Sequence, residues 1–288
     1  MERAGILNRV GVYLEAVKFE HTIFALPFAY LGVALAAGGL PRLDQFVWVT
    51  VAMASARTLA MAANRLIDWH LDAINPRTAR RALPLGQMDG REMLVLCLVS
   101  LAVFVLAAWQ LNLLCLLLLP GAVVVLVGYP YTKRFTWLSH WILGIADGLA
   151  PVGGWIAITA TMAWPPIVLG LAVTTWIAGF DLIYACQDVE FDRAHKLHSV
   201  PARFGVAAAL RLSSLNHVLT VVLLGLVGYE LTLAWPFWLG LAASGALLAY
   251  EHSIVHPDDL SRLDLAFFNI NGYIAVIMFV ATFASLYV

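Results

Sequence analysis

Long apolar runs alternate with short polar connections along this chain. Nine runs stand out, at about 19–38, 46–66, 93–110, 112–128, 138–160, 165–186, 212–229, 232–250 and 266–287. Roughly 20 apolar residues carry a helix across the hydrocarbon core of a bilayer, so each run predicts a membrane-spanning helix. The third and fourth runs meet at Gln110-Leu111-Asn112, the weakest boundary, and eight or ten spans fit the same pattern. Ten-residue segments of alternating character are absent, which argues against a β-barrel. The first run contains Pro27 and follows a mixed-charge segment. It is read as a retained span and not a cleaved leader, despite the cleavage-like Ala34-Leu35-Ala36.

Composition agrees. Of 288 residues 62% are hydrophobic and 12% charged, against about 25% charged in a soluble domain. The distribution of charge says more than the net value of −1. With the N-terminus in the cytoplasm and nine spans, 15 of the 17 Lys and Arg fall on the cytoplasmic side; Arg42 lies outside and Arg57 within a span. Cytoplasmic enrichment of Lys and Arg is what orients membrane proteins. The inner connections are also the longer ones, so the functional surface is expected at the cytoplasmic ends of the helices. Cys97, Cys115 and Cys186 lie in or at the ends of apolar runs and read as packing residues, not a disulfide framework. A nucleic-acid partner is not expected.

Against this apolar background, residues 64–86 read NRLIDWHLDAINPRTARRALPLG. Side chains four apart share a helical face, so Asn64, Asp68 and Asp72 form a ladder of oxygen donors leaving the second span. Arg57 falls on the same face, deeper in the membrane. An intramembrane Arg costs about 2.5–3.5 kcal/mol on insertion scales and usually marks function, although a structural partner acid would also account for it. Two carboxylates about 4 Å apart repel by about 4 kcal/mol at an effective dielectric near 20, so a cation between them is expected. Hard oxygen donors without His or Cys at ligand spacing suit Mg²⁺. Arg77, Arg80 and Arg81 follow, and guanidinium forks bind phosphate oxygens.

Residues 181–205, DLIYACQDVEFDRAHKLHSVPARFG, repeat the pattern 120 residues later. Asp181, Tyr184, Asp188 and Asp192 share a face, followed by Arg193, Lys196 and Arg203. Two carboxylate ladders facing each other would hold two Mg²⁺ and clamp a diphosphate. Between them, YPYTKR places Tyr129 and Lys133 four apart, where Lys133 would neutralise a departing diphosphate. Asp147 is a further intramembrane acid, with site and structural roles equally open. Lys18, before the first span, is a possible anion contact. His195 and His198 read as loop histidines, since no His-Cys or His-Glu motif accompanies them.

With these motifs in place, the chain resembles the UbiA superfamily of intramembrane aromatic prenyltransferases. Asn64-x3-Asp68-x3-Asp72, Asp188-x3-Asp192, the Tyr129-x3-Lys133 loop and the opening KFEHTIFALPFAYLG carry the resemblance. It runs over the whole chain and is greatest to 4-hydroxybenzoate polyprenyltransferases and menaquinone-pathway relatives. One departure is Arg81-Ala82-Leu83-Pro84, where many members read Arg-Pro-Leu. The resemblance implies an all-α bundle of nine transmembrane helices around a central cavity, one domain over residues 1–288, in the cell membrane with its active site on the cytoplasmic side. It implies Mg²⁺ as cofactor, held by Asn64, Asp68, Asp72, Asp188 and Asp192. Arg77, Arg81, Tyr129, Lys133, Lys196 and Arg203 would meet the diphosphate. Asp181, Tyr184 and Lys133 would be catalytic, and Arg57 and Lys18 would meet the acceptor. A polyprenyl group would pass from its diphosphate to a small aromatic acid, 4-hydroxybenzoate or a naphthoate. Two other classes fit parts of the pattern: a secondary transporter with intramembrane acids, and a head-group transferase, whose DG-AR-G-D-D pattern is not found.

Overall fold

A computed structural model describes residues 6–17, 22–263 and 269–288; Lys18 lies outside them. The described residues are helical and hold no β-strand. Each apolar run contains one helix. In chain order these are α2 (Thr22–Ala37), α3 (Leu43–Ile67), α5 (Gly90–Leu111), α6 (Leu113–Thr132), α7 (Ser139–Thr159), α8 (Trp164–Tyr184), α11 (Val206–Glu230), α12 (Trp235–Ile254) and α13 (Asn271–Ser285). Four shorter helices complete the set: α1 (Ile6–Ala16), α4 (Trp69–Ile74), α9 (Val189–Ala194) and α10 (Val200–Phe204). Among the described residues, α3, α5, α6, α7, α8 with its continuation to Ala194, and α11 are long and apolar enough to cross a bilayer. Over their described lengths α2 and α13 are shorter, and α12 carries Glu251 and His252 in its last turn. A count of nine crossings therefore goes further than length and apolarity establish.

The weak boundary is real. Asn112 alone separates α5 from α6, in an extended conformation. Its Oδ1 accepts from the Cys115 N–H at 3.0 Å, capping α6, and its Nδ2 donates to the Ile156 carbonyl at 2.8 Å on α7. Such capping satisfies helix-end groups that would otherwise be orphaned. The outward faces of α5, α6 and α11 expose Val95, Leu98, Leu117, Val124, Leu215 and Val218, an apolar mantle suited to lipid. Inside, α2, α8, α11, α12 and α13 share a core that includes Leu31, Leu169, Phe237 and Met278. Phe28 and Trp176 pack with ring centroids 4.7 Å apart.

Helix α7 packs against α8 at unusually small residues. A side chain at Gly144 would meet the Thr174 carbonyl, and one at Gly148 the Gly170 carbonyl. Small residues let backbones approach where lipid supplies no hydrophobic drive between helices. The close approach brings the polar residues of α7 onto those of α8.

The echo between the two polar motifs extends to the backbone. Helix α3 ends before Asp68, which takes φ −94° and ψ 8°, and the six-residue α4 follows. Helix α8 gives way to a 3-10 turn ending at Asp188, with φ −99° and ψ 8°, and the six-residue α9 follows. Each motif thus bends at its first Asp and is not one straight ladder. The bond from the Asp72 N–H to the Asp68 carbonyl, 2.7 Å, still carries the helical spacing across the bend.

Candidate active site

The break at Asp68 separates α4 from α3, and the loop after it is pinned by apolar residues. Leu83 and Met88 are buried against α3 and α5, and Gly86 takes φ +69°, a left-handed turn open to glycine. Arg77 and Arg81 are thereby aimed inward. Arg77 reaches Asp188 with both prongs, Nε to Oδ1 at 3.1 Å and Nη2 to Oδ2 at 2.6 Å. Its Nη1 donates to the Tyr184 hydroxyl at 2.9 Å. Arg81 Nη1 lies 2.7 Å from both Asp72 oxygens.

The five expected oxygen ligands line a single chamber of about 220 Å³. Asn64, Asp68, Asp72, Asp188 and Asp192 share it with Arg77, Arg81, Lys133 and Asp181. The two motifs therefore converge. Tyr129 and Leu143 also line a second chamber of about 570 Å³ and a third, apolar one of about 430 Å³. Arg57 and Asp147 line the second and third but not the first, so they stand deeper in the bundle. Arg57 Nε is buried without a hydrogen-bond partner.

Four of the remaining candidates divide. Lys133 closes α6, and its charge reaches Asp68, Asp188 and Asp192 alike. It makes no ion pair within 4 Å among the described residues. Tyr184 packs beside Arg77, whose guanidinium carbon lies 5.0 Å from the ring centre. Lys196 and Arg203 are exposed and line none of the three chambers; Arg203 lies over Phe204 at 5.3 Å. The structure does not bring these two to the site.

Several residues join the site that sequence reasoning passed over. Arg134 Nη2 donates to Asp68 Oδ1 at 2.9 Å and to the Ile67 carbonyl at 2.9 Å. Asn75 Nδ2 donates to Asp188 Oδ1 at 3.3 Å. Ser199 Oγ donates to Asp192 Oδ2 at 2.7 Å. His140 Nδ1 lies 2.7 Å from Asp181 Oδ2. A signal existed for His140: it stands seven residues before Asp147 in an apolar run, on one helical face.

The donor set fits a hard divalent cation. Asp192 Oδ1 is buried with no hydrogen-bond partner, and an orphaned carboxylate oxygen is costly unless a cation meets it. Burial raises the Asp68 carboxyl above its usual range, while Lys133 and Arg134 pull the other way. Burial opposes the charge on Arg77 too, yet its bonds to Asp188 raise it above the usual guanidinium value. No three carboxylate, His or Cys groups among the described residues stand together around one point.

A model of the UbiA prenyltransferase family matches residues 25–282. The chain belongs to the UbiA prenyltransferase family. Family membership decides for prenyl transfer over the transporter and head-group readings, and with the apolar helices it makes this a multi-pass membrane protein. The chain is 30% identical to the 4-hydroxybenzoate octaprenyltransferase of Chromohalobacter salexigens, covering 98% of this chain and 95% of that one. It is also 30% identical to the enzyme of that name from Methylobacillus flagellatus, covering 100% and 97%. Among solved structures, the apo form of a UbiA homologue from Aeropyrum pernix superposes with TM-score 0.84 at 32% identity, covering 91% of this chain and 96% of that one. A homologue from Archaeoglobus fulgidus, bound to GPP and Mg²⁺, shares the fold with TM-score 0.71 at 23% identity, covering 96% and 100%.

Proposed function

We propose that this UbiA-family prenyltransferase moves a polyprenyl group from its diphosphate to a small aromatic acid, with 4-hydroxybenzoate the leading acceptor. One observation carries this reading: both acidic motifs and three of the cations expected to meet phosphate line one chamber. The relatives named as 4-hydroxybenzoate octaprenyltransferases support the acceptor, and a homologue holding GPP and Mg²⁺ supports the donor and the cofactor. The chain forms one domain of nine crossings in the cell membrane, N-terminus and active site facing the cytoplasm.

Asn64, Asp68, Asp72, Asp188 and Asp192 would hold Mg²⁺, which neutralises the diphosphate and its departing charge. In the structure Arg77, Arg81 and Arg134 neutralise Asp188, Asp72 and Asp68. With substrate bound, the carboxylates would be free to hold the metal, and Arg77 and Arg81 would offer their forked donors to more than one phosphate oxygen. Lys133, with no ion pair within 4 Å among the described residues, meets the charge that grows as the allylic C–O bond breaks. The bundle excludes water, which would otherwise capture the prenyl cation as an alcohol. Tyr184 flanks that cation with its ring. Arg57 holds the acceptor carboxylate deeper in the bundle, and Asp181 receives the ring proton. Lys18 is a further contact proposed for the acceptor. Lys196 and Arg203, lying away from the chamber, act at most on substrate approaching from solution.

The decisive experiment incubates purified protein with Mg²⁺, a polyprenyl diphosphate and a panel of 4-hydroxybenzoate, naphthoates and related acids, and weighs the products. A prenylated aromatic acid is expected. Release of diphosphate without any prenylated acid across the panel would overturn the acceptor class.

A further inference from the structure

His140 opens α7 with its side chain 3% exposed. An imidazole inside a bundle is costly unless its nitrogens are paired. Both are: Nδ1 lies 2.7 Å from Asp181 Oδ2, and Nε2 lies 3.2 Å from the backbone nitrogen of Val200. The Val200 N–H can only donate, so Nε2 accepts and carries no proton. The neutral ring therefore bears its proton on Nδ1 and donates it to Asp181. The backbone of a distant loop sets the tautomer.

That loop is itself held by the site. Val200 begins α10, whose cap is Ser199; the Ser199 hydroxyl accepts from the Ala202 N–H and donates to Asp192 Oδ2 at 2.7 Å. The His198 N–H donates to the Lys133 carbonyl at 2.6 Å. Residues 198–200 thus touch Lys133, Asp192 and His140 in turn. Asp181 is 24% exposed and lines the chamber of the acidic motifs. Its Oδ2 is occupied by His140, and its Oδ1 has no hydrogen-bond partner among the described residues.

We propose that His140 is a positioning residue for prenyl transfer, holding Asp181 so that Oδ1 receives the ring proton, from a tautomer imposed by the Val200 backbone. The inference rests on the prenyl-transfer reading and on Asp181 as proton acceptor within it. The step balances. The allylic C–O bond breaks and its electron pair leaves on the diphosphate. A ring π pair forms the new C–C bond and leaves a ring cation. The C–H bond at that carbon then breaks, its electron pair restores the aromatic ring, and the proton passes to Asp181 Oδ1. Through the step the Nδ1 proton of His140 stays shared with Oδ2 and its Nε2 lone pair with Val200. It orients the acceptor and does not relay the proton.

Two near-isosteres separate the two bonds. His140→Asn places an amide nitrogen where Nδ1 stood and keeps the donation to Asp181. His140→Gln places a carbonyl oxygen near Nε2 and keeps the bond from Val200 but loses the one to Asp181. We expect His140→Gln to lower kcat by about tenfold or more with the KM for prenyl diphosphate unchanged within about twofold, and His140→Asn to stay within about threefold of the parent. In His140→Gln, ring-deuterated acceptor should react more slowly than ring-protonated acceptor, by a larger ratio than in the parent, because proton loss becomes limiting. A purely structural role would lower the folded fraction of both variants and leave the isotope ratio alone, which would overturn the proposal. Should both variants fail to fold, nitrogen-15 histidine spectra of full-length protein carrying His195→Ala and His217→Gln decide. His195 and His217 are changed because their Nδ1 atoms also have hydrogen-bond partners, the Phe191 carbonyl and His252 Nε2. A ring protonated at Nδ1 and bare at Nε2 is expected, and its absence overturns the assignment. Normal turnover by Asp181→Asn would instead remove Asp181 as proton acceptor, a failure of the underlying reading and not of the His140 geometry.

Discussion

Single side chains carry the chemistry, and here they are paired more tightly than their spacing alone requires. Asp188 is held by Arg77 and Asn75, Asp72 by Arg81, and Asp68 by Arg134. Truncating either bend residue would remove a proposed metal ligand and strand an arginine. Asp68→Ala and Asp188→Ala should each reduce transfer to background in Mg²⁺-supplied membranes, measured as prenylated product; near-parental turnover by either would reject the metal assignment. Arg57→Ala should raise the acceptor KM by about tenfold, the worth of one charge-assisted hydrogen bond, and leave the KM for prenyl diphosphate nearly unchanged. The exposed Lys196 and Arg203 give the contrasting case: alanine at either should keep kcat/KM within about twofold, as surface substitutions generally do. The four-residue spacing of the acids was legible in sequence. Their arginine partners were not all legible, because Arg134 and Asp68 lie 66 residues apart and only the packing of α6 beside α3 joins them.

Helices decide where those side chains point. The bend at Asp68 and its counterpart at Asp188 share one backbone conformation, and each is followed by a six-residue helix whose Asp, Asp72 or Asp192, lines the chamber. The 120-residue echo in sequence is thus an echo in structure. On α7, Gly144 lets the helix lie against the Thr174 carbonyl, and that approach sets the distance from His140 to Asp181. Gly144→Val should displace α7 from α8, a collision with backbone that no rotamer relieves. Loss of both folded protein and activity is expected, read by size-exclusion profile and product yield. At the other end of the site loop, Asp89 caps α5 through the Glu92 N–H at 2.7 Å, and Glu92 answers through the Asp89 N–H at 3.0 Å. Asp89→Ala should cost about 1 kcal/mol and lower Tm without touching KM, since the box lies on the surface away from the chamber.

At the scale of the whole molecule, the proposed reaction depends on a divalent cation. Removing Mg²⁺ with a chelator should abolish transfer, and adding it back should restore transfer in full. Burial makes Asp68 easier to protonate, and a proton there competes with the metal. The Mg²⁺ concentration for half-maximal rate should therefore rise as pH falls; a flat dependence would remove Asp68 from the ligand set. Three chambers share Tyr129 and Leu143 in their walls, the one holding both acidic motifs polar and the third largely apolar, as a prenyl chain requires. The sequence by itself determined the helical class, the apolar runs, and the acidic and basic residue types that gather at one chamber. Those follow from periodicity and composition, which act within a few turns of chain. Only the tertiary structure decided which arginine answers which acid, that Lys196 and Arg203 face away, and that His140 steadies Asp181. Such pairings join helices separated by tens to more than a hundred residues, and they depend on how closely neighbouring backbones approach, a property that local spacing does not encode.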